Sequence, residues 1–128
     1  MAGSITPTPG VPFNLATYIS AASMTGTATV SGPWVYVHDI SVGLAFQAVW
    51  TGTPTGTFTV NVTQDANPAN ITVLGPTALT IPSSPSPNPA GSAGSFVFYL
   101  SGLTTPWVQL TYTNSTGSGT LNVGVSGK

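Results

Sequence analysis

Apolar residues recur at every second position through most of this chain. In Gly43-Leu44-Ala45-Phe46-Gln47-Ala48-Val49-Trp50, Leu44, Phe46, Ala48 and Trp50 share one parity and Ala45, Gln47 and Val49 hold the other. In Thr57-Phe58-Thr59-Val60-Asn61-Val62-Thr63 the alternation is strict. A period of two is that of a β-strand with one buried and one wetted face. The two runs are joined by Thr51-Gly52-Thr53-Pro54-Thr55-Gly56, and a short Thr/Gly/Pro segment between strands predicts a β-hairpin. The final third repeats the pattern in Phe96, Phe98 and Leu100, in Val108, Leu110 and Tyr112, and in Leu121, Val123 and Val125. The Gly-rich stretch 114–119 predicts a second hairpin turn between the last two of these runs.

Upstream, residues 13–19 predict either a first strand or an irregular ordered segment. Residues 25–30 and the β-prone run 34–37 predict strands, with Ser31-Gly32-Pro33 a turn between them. Residues 65–70 read as a turn and 71–74 as a short strand. No helical period persists anywhere. About eight short strands at regular spacing are the signature of a β-sandwich or barrel. With no cysteine pair of the immunoglobulin kind, the expected fold is all-β: a single-domain antiparallel β-sandwich, jelly-roll-like.

Proline divides the chain. Pro7, Pro9 and Pro12 make residues 1–12 an extended N-terminal arm, either a loose tail or an arm laid on a neighbouring subunit, ahead of a sandwich domain over 13–128. Pro76, Pro82, Pro85, Pro87 and Pro89 make residues 75–94 a stiff surface loop, in which 77–81 could still pair as a strand.

Composition changes this picture in one respect. The 128 residues suffice for one core, but only Asp39, Asp65 and Lys128 are charged, 2% of the chain against roughly 25% in ordinary soluble domains. Ser and Thr, 35 residues in all, take the exposed faces instead. A hydroxyl surface stays wet but gives little mutual repulsion, so this is expected to be a protein packed against neighbours, with a neutral secreted domain the alternative. One lysine cannot neutralise phosphates or hold an anionic bilayer, so neither nucleic acid nor membrane is an expected partner. No apolar run is long enough to span a bilayer, and the N-terminus has neither the basic start nor the apolar core of a signal peptide. Cysteine is absent, which removes disulfides and thiolate sites.

Candidate chemistry is thin. His38 and Asp39 are adjacent, and neighbours on a strand point to opposite faces, so they cannot grip one proton or metal together. A hydrolase would have to use Asp39 and Asp65 as its carboxylate pair. Two carboxylates do not make a calcium loop either. The expectation is no enzyme, no cofactor and no metal. The sequons at Asn61, Asn70 and Asn114 are no more than chance supplies in a chain this rich in Asn, Ser and Thr. Of Trp34, Trp50 and Trp107, Trp107 has the parity opposite Val108, Leu110 and Tyr112, so it is expected to face outward as a subunit anchor rather than fill the core or stack on a sugar. The expected interface residues are Pro7, Pro9, Pro12, Phe13, Trp34 and Trp107.

The segment Val49-Trp50-Thr51-Gly52-Thr53-Pro54-Thr55-Gly56-Thr57-Phe58-Thr59-Val60 resembles a pattern of small structural proteins of tailed bacteriophages. So do Ala90-Gly91-Ser92-Ala93-Gly94, Pro106-Trp107-Val108-Gln109-Leu110-Thr111-Tyr112-Thr113 and Gly117-Ser118-Gly119-Thr120-Leu121, so that the likeness spans roughly residues 44–128. The chain departs from that pattern at 62–67, where a Ser-Asn-Asp-Gly-like turn is usual, and at Gln109, where Arg is common. The resemblance implies a virion protein assembled in the host cytoplasm, with the major capsid protein and copies of itself as partners, trimers being common. The role it implies first is capsid decoration or cement; the alternative is a tail, neck or head-fibre module that recognises a host-surface glycan.

Overall fold

The computed structural model describes residues 4–8, 11–37, 43–65, 77–79, 88–101 and 105–128. They form ten strands: β1 (Ser4–Ile5), β2 (Phe13–Thr25), β3 (Thr29–Ser31), β4 (Trp34–Tyr36), β5 (Gly43–Gly52), β6 (Thr55–Thr63), β7 (Thr77–Leu79), β8 (Gly94–Ser101), β9 (Trp107–Thr116) and β10 (Ser118–Gly127). One sheet has the order β2-β10-β5-β8. The other runs β1-β4-β9-β6-β7, with β3 also paired to β9.

β3 and β4 are one strand broken by Gly32-Pro33, since both lie antiparallel on β9. Proline has no N–H to give to a ladder, so the pairing stops there and resumes two residues on. Counted so, and with the two-residue β1 set aside, eight principal strands remain, and they pair as an antiparallel ribbon: β2 with β10, β3/β4 with β9, β5 with β8, and β6 with β7. Successive segments of that ribbon fall alternately in the two sheets. This is the jelly-roll order, as expected from the sequence.

Neither predicted hairpin forms. β5 and β6 lie in different sheets, as do β9 and β10, so both short connections are corners at which the chain crosses the sandwich. The corners sit side by side, because β5 neighbours β10 in one sheet and β6 neighbours β9 in the other. Thr53 N–H donates to Ser118 O at 2.8 Å between them. Gly117 turns the second corner at φ 74°, and a Cβ there would lie 2.0 Å from Thr53 O. The predicted strand 25–30 is likewise interrupted: β2 ends at Thr25 and Gly26, at φ 57°, starts a turn before β3. The predicted strand at 71–74 lies outside the described residues.

The core lies between the two sheets, where Leu44, Phe46, Ala48 and Trp50 of β5 meet Phe58 and Val60 of β6. Phe58 sits at its centre, its ring 4.9 Å from that of Tyr112, 5.1 Å from Phe98 and 5.7 Å from Trp50. These tilted and edge-on contacts add to the area the rings remove from water. β2 supplies Tyr18 and Ile19, adjacent residues that are both buried. A regular strand would bury only one of them. The β2–β10 register shifts between Leu121 and Val123 and again between Val123 and Val125, and such bulges re-aim side chains.

The segments expected to be irregular are in part tied to the sandwich. Within the expected arm, Ser4–Ile5 pair in parallel with Trp34 and Val35. Within 75–94, β7 pairs with β6, and the end of the loop is pinned by Phe58 N–H donating to Asn88 Oδ1 at 2.9 Å and Trp50 Nε1–H donating to Ser92 O at 2.9 Å.

Candidate functional site

Several residues singled out from the sequence are not at a free surface. Trp107 does point away from the core, as its parity requires, yet it is only 8% exposed. It stands on the outer face of its sheet between Tyr36 and Thr63, with its ring 5.0 Å from that of Tyr36 at 61°. Trp34, on the same face of β4, is 5% exposed. Parity tells which face a side chain takes, not what covers it, and here the end of the outer face that holds Trp34 and Trp107 is covered too, while Thr29, Ser31, Thr57 and Thr113 on the same sheet stay exposed. Neither tryptophan is therefore available as an exposed anchor or a sugar platform. Of the other expected interface residues, Pro12 is exposed, Pro7 and Phe13 are half-buried, and Pro9 lies outside the described residues.

His38 and Asp39 also lie outside the described residues. Asp65 is buried beside β6: its N–H donates to Thr63 Oγ1 at 3.1 Å, and the Thr63 hydroxyl donates to Asp65 Oδ2 at 3.3 Å. That is a local turn lock at the end of a strand. Among the described residues no group of three His, Cys, Asp or Glu is placed to hold a metal ion. Of the sequon asparagines, Asn114 is buried, with Nδ2 donating to Gly26 O and Gly117 O while Oδ1 accepts from the Tyr112 hydroxyl. It is a structural bracket for two turns. Asn61 Nδ2 donates to Thr111 Oγ1 at 3.1 Å, and Asn70 is outside the described residues.

What remains open is the outer face of the β2-β10-β5-β8 sheet. Its composition follows from the registers. Ser126, Ala45 and Tyr99 form one row across β10, β5 and β8; Gly124, Gln47 and Val97 form the next; Asn122, Val49 and Ser95 form the third. Small residues in the first two rows make a low floor, and longer ones stand along β8. The result is a pair of adjoining depressions of about 440 Å³ and 510 Å³ that share Asn14, Ala45 and Ser126.

Three of the large apolar residues that the described surface exposes lie on this face: Val49, Val97 and Tyr99, the last 62% exposed. Asn122 is committed to the scaffold, since its Oδ1 accepts from Ala21 N–H at 2.9 Å and holds β2 in a bulge where Ala21 takes φ 46°. Asn14, Gln47 and the Tyr99 hydroxyl have no side-chain partner among the described residues. Lys128, at one end, is the one charged side chain on the rim among the described residues. A face with amides, a phenol and branched apolar side chains, and with almost no charge, can take up a neutral partner by shape, apolar contact and hydrogen bonds. Among its described residues there is no nucleophile activated by a base and no acid–base pair.

This face was missed in the sequence because its residues are short or ordinary. The signal that could have found it is the wet parity of β5, Ala45-Gln47-Val49, which is less polar than that of β6, Thr57-Thr59-Asn61.

Comparison with known proteins yields structural likeness alone. No protein-family model matches the chain, and no curated protein matches it in sequence. Among solved structures, the SPBc2 prophage-derived protein YomS superposes with a TM-score of 0.51 at 13% identity, over 95% of this chain and 99% of that one. A protein in the structure of infectious bursal disease virus, Gx strain, matches with a TM-score of 0.51 at 13% identity over 91% of this chain and 32% of its own. BpGH86A, a β-porphyranase from the human gut bacterium Bacteroides plebeius, matches with a TM-score of 0.51 at 12% identity over 91% of this chain and 20% of its own. The fold is thus one that a prophage-derived protein, a viral protein and a module of a polysaccharide-degrading enzyme share with this chain.

Proposed function

We propose that this chain is a structural protein of a phage particle, a decoration protein that docks on the shell of the major capsid protein through the outer face of β2-β10-β5-β8 and does no catalysis. The observation that carries the reading is that open, nearly uncharged sheet face on a domain whose other faces are hydroxyl-rich. The sequence resemblance over residues 44–128 and the whole-length likeness to a prophage-derived protein support it. Docking of this kind adds buried area that bridges shell subunits and needs no reactive group.

The test is the abundance of the protein in purified particles, measured by quantitative mass spectrometry against the major capsid protein. The expected result is a copy number comparable with that of the shell protein. A handful of copies would move the chain to the neck, tail or a fibre, and absence would refute the reading. Gln47→Lys, which sets a charge on the exposed floor, is expected to lower occupancy strongly while leaving thermal stability unchanged.

One observation favours a second reading, glycan recognition at the particle surface. Tyr99 offers an exposed ring beside unpartnered amides, and a ring face with neutral hydrogen-bonding groups suits a polyhydroxylated ligand. Glycan-array binding abolished by Tyr99→Ala would establish it. Absence of array binding by the wild-type chain would dispose of it.

A further inference from the structure

The four sheet edges are not alike. In the β1-β4-β9-β6-β7 sheet, one edge is made by β1 and β3, of two and three residues, and the other by β7, of three. Short edge strands are one of the devices that prevent a sheet from pairing with a foreign strand. In the β2-β10-β5-β8 sheet, β2 is long but irregular, with two register shifts and Ala21 in the left-handed region. Bulges of this kind are a second such device. Among the described residues, then, three edges are blunted.

β8 is the exception. Gly94-Ser95-Phe96-Val97-Phe98-Tyr99-Leu100-Ser101 pairs with β5 in an unbroken register from Gly94 opposite Trp50 to Ser101 opposite Gly43. It contains no proline and no charge, and its four large aromatic or β-branched residues are strong strand formers. Among the described residues no strand lies on its far side. Every second residue of a strand so placed directs its N–H and C=O away from the sheet. Charged side chains are the third protective device, and β8 has none.

We infer that β8 is a self-association edge, and that two copies of this chain pair β8 to β8, antiparallel, about a two-fold axis. The occupant is a second copy because the edge is self-complementary. An antiparallel pair related by a two-fold offers the same strand to itself, satisfies the outward N–H and C=O groups of both, and closes without propagating. The result would join two four-stranded sheets into one of eight strands. Val97 and Tyr99 of one copy would stand beside those of the other on one continuous outer face. No like charges oppose each other across the axis, so nothing repels the pair. An eight-residue edge is a small interface, so dissociation on dilution is expected.

The experiment is sedimentation velocity of the full chain over a dilution series, beside the double variant V97K/Y99K, with hydrogen exchange of the native chain at both ends of the series. Val97 and Tyr99 are exposed, so the substitutions leave the core intact while placing like charges on facing strands. The expected result is a native dimer that dissociates on dilution, a monomeric V97K/Y99K, and exchange protection gained with concentration in β8 but not in β2 or β7. A native chain that is monomeric at every concentration would overturn the inference. So would a dimer that survives V97K/Y99K, or concentration-dependent protection at β2 in place of β8. The dimer and the docking face are separable: Gln47→Lys, on the face and away from the edge, should leave the dimer intact while reducing particle occupancy.

Discussion

Tyr18 shows how much a single residue carries. Its ring packs edge-on against Phe46, with centroids 5.0 Å apart, and its hydroxyl donates to Pro33 O and accepts from Leu110 N–H at 3.2 Å. The phenol therefore crosses the sandwich and satisfies the ladder groups that the Gly32-Pro33 break would leave unpaired. Gly32 is what makes room, since a Cβ there would lie 2.0 Å from the Tyr18 ring. Tyr18→Phe keeps the packing but orphans a buried N–H and a carbonyl, and is expected to cost about 1–3 kcal/mol, read from urea unfolding. The same burial gives a pH dependence. Loss of solvation pushes the Tyr18 phenol well above its ordinary value, opposed in part by the hydrogen bond from Leu110, and burial raises Tyr112 as well. Above about pH 10 a tyrosine in the unfolded chain releases its proton while these two keep theirs, so stability falls as pH rises. At lower pH both states are protonated and this contribution is fully present. Tyr18→Phe should start less stable and show a shallower alkaline decline; an unchanged decline would refute the assignment to Tyr18.

At the scale of elements, the lesson is in the corners. The alternation in 44–50 and 58–63 identified the buried parity of both strands correctly: Leu44, Phe46, Trp50, Phe58 and Val60 are all in the core. It could not say whether the two strands lie side by side or face to face, because both arrangements bury the same residues. The decision comes from how the 51–56 and 116–119 corners stack, with Gly117 and Gly119 in close contact with Thr53 and Thr51. Gly117→Ala is therefore expected to cost about 1–3 kcal/mol from its positive φ, with the contact to Thr53 O adding to it. On the strands themselves, Phe58→Ala should cost about 3–5 kcal/mol, since it empties the centre of the core. Val49→Ala on the wet parity should stay within about 0.5 kcal/mol. Chemical denaturation of the three variants checks all of these, and a large loss at Val49 would mean that the open face is covered.

At the scale of the whole molecule, the near-absence of charge shapes association. With three charged side chains in 128 residues, screening has little to act on, so docking and self-pairing should hold from low to molar sodium chloride. Retention of the protein on particles across that range, followed by pelleting, tests this; release at high salt would mean that ion pairs carry the contact.

The sequence by itself determined the all-β class, the buried parity of the principal strands and the near-absence of charge, because periodicity and composition are local properties. Only the tertiary structure decided that the short connections are corners, that Trp34 and Trp107 are covered, and that Asn114 is a buried bracket. It also decided that Ala45, Gln47, Val97 and Tyr99 share an open face and that, among the described residues, β8 is the one long, regular edge. Those are facts about which strand lies beside which, and pairing between residues far apart in the chain leaves no periodic trace in either partner.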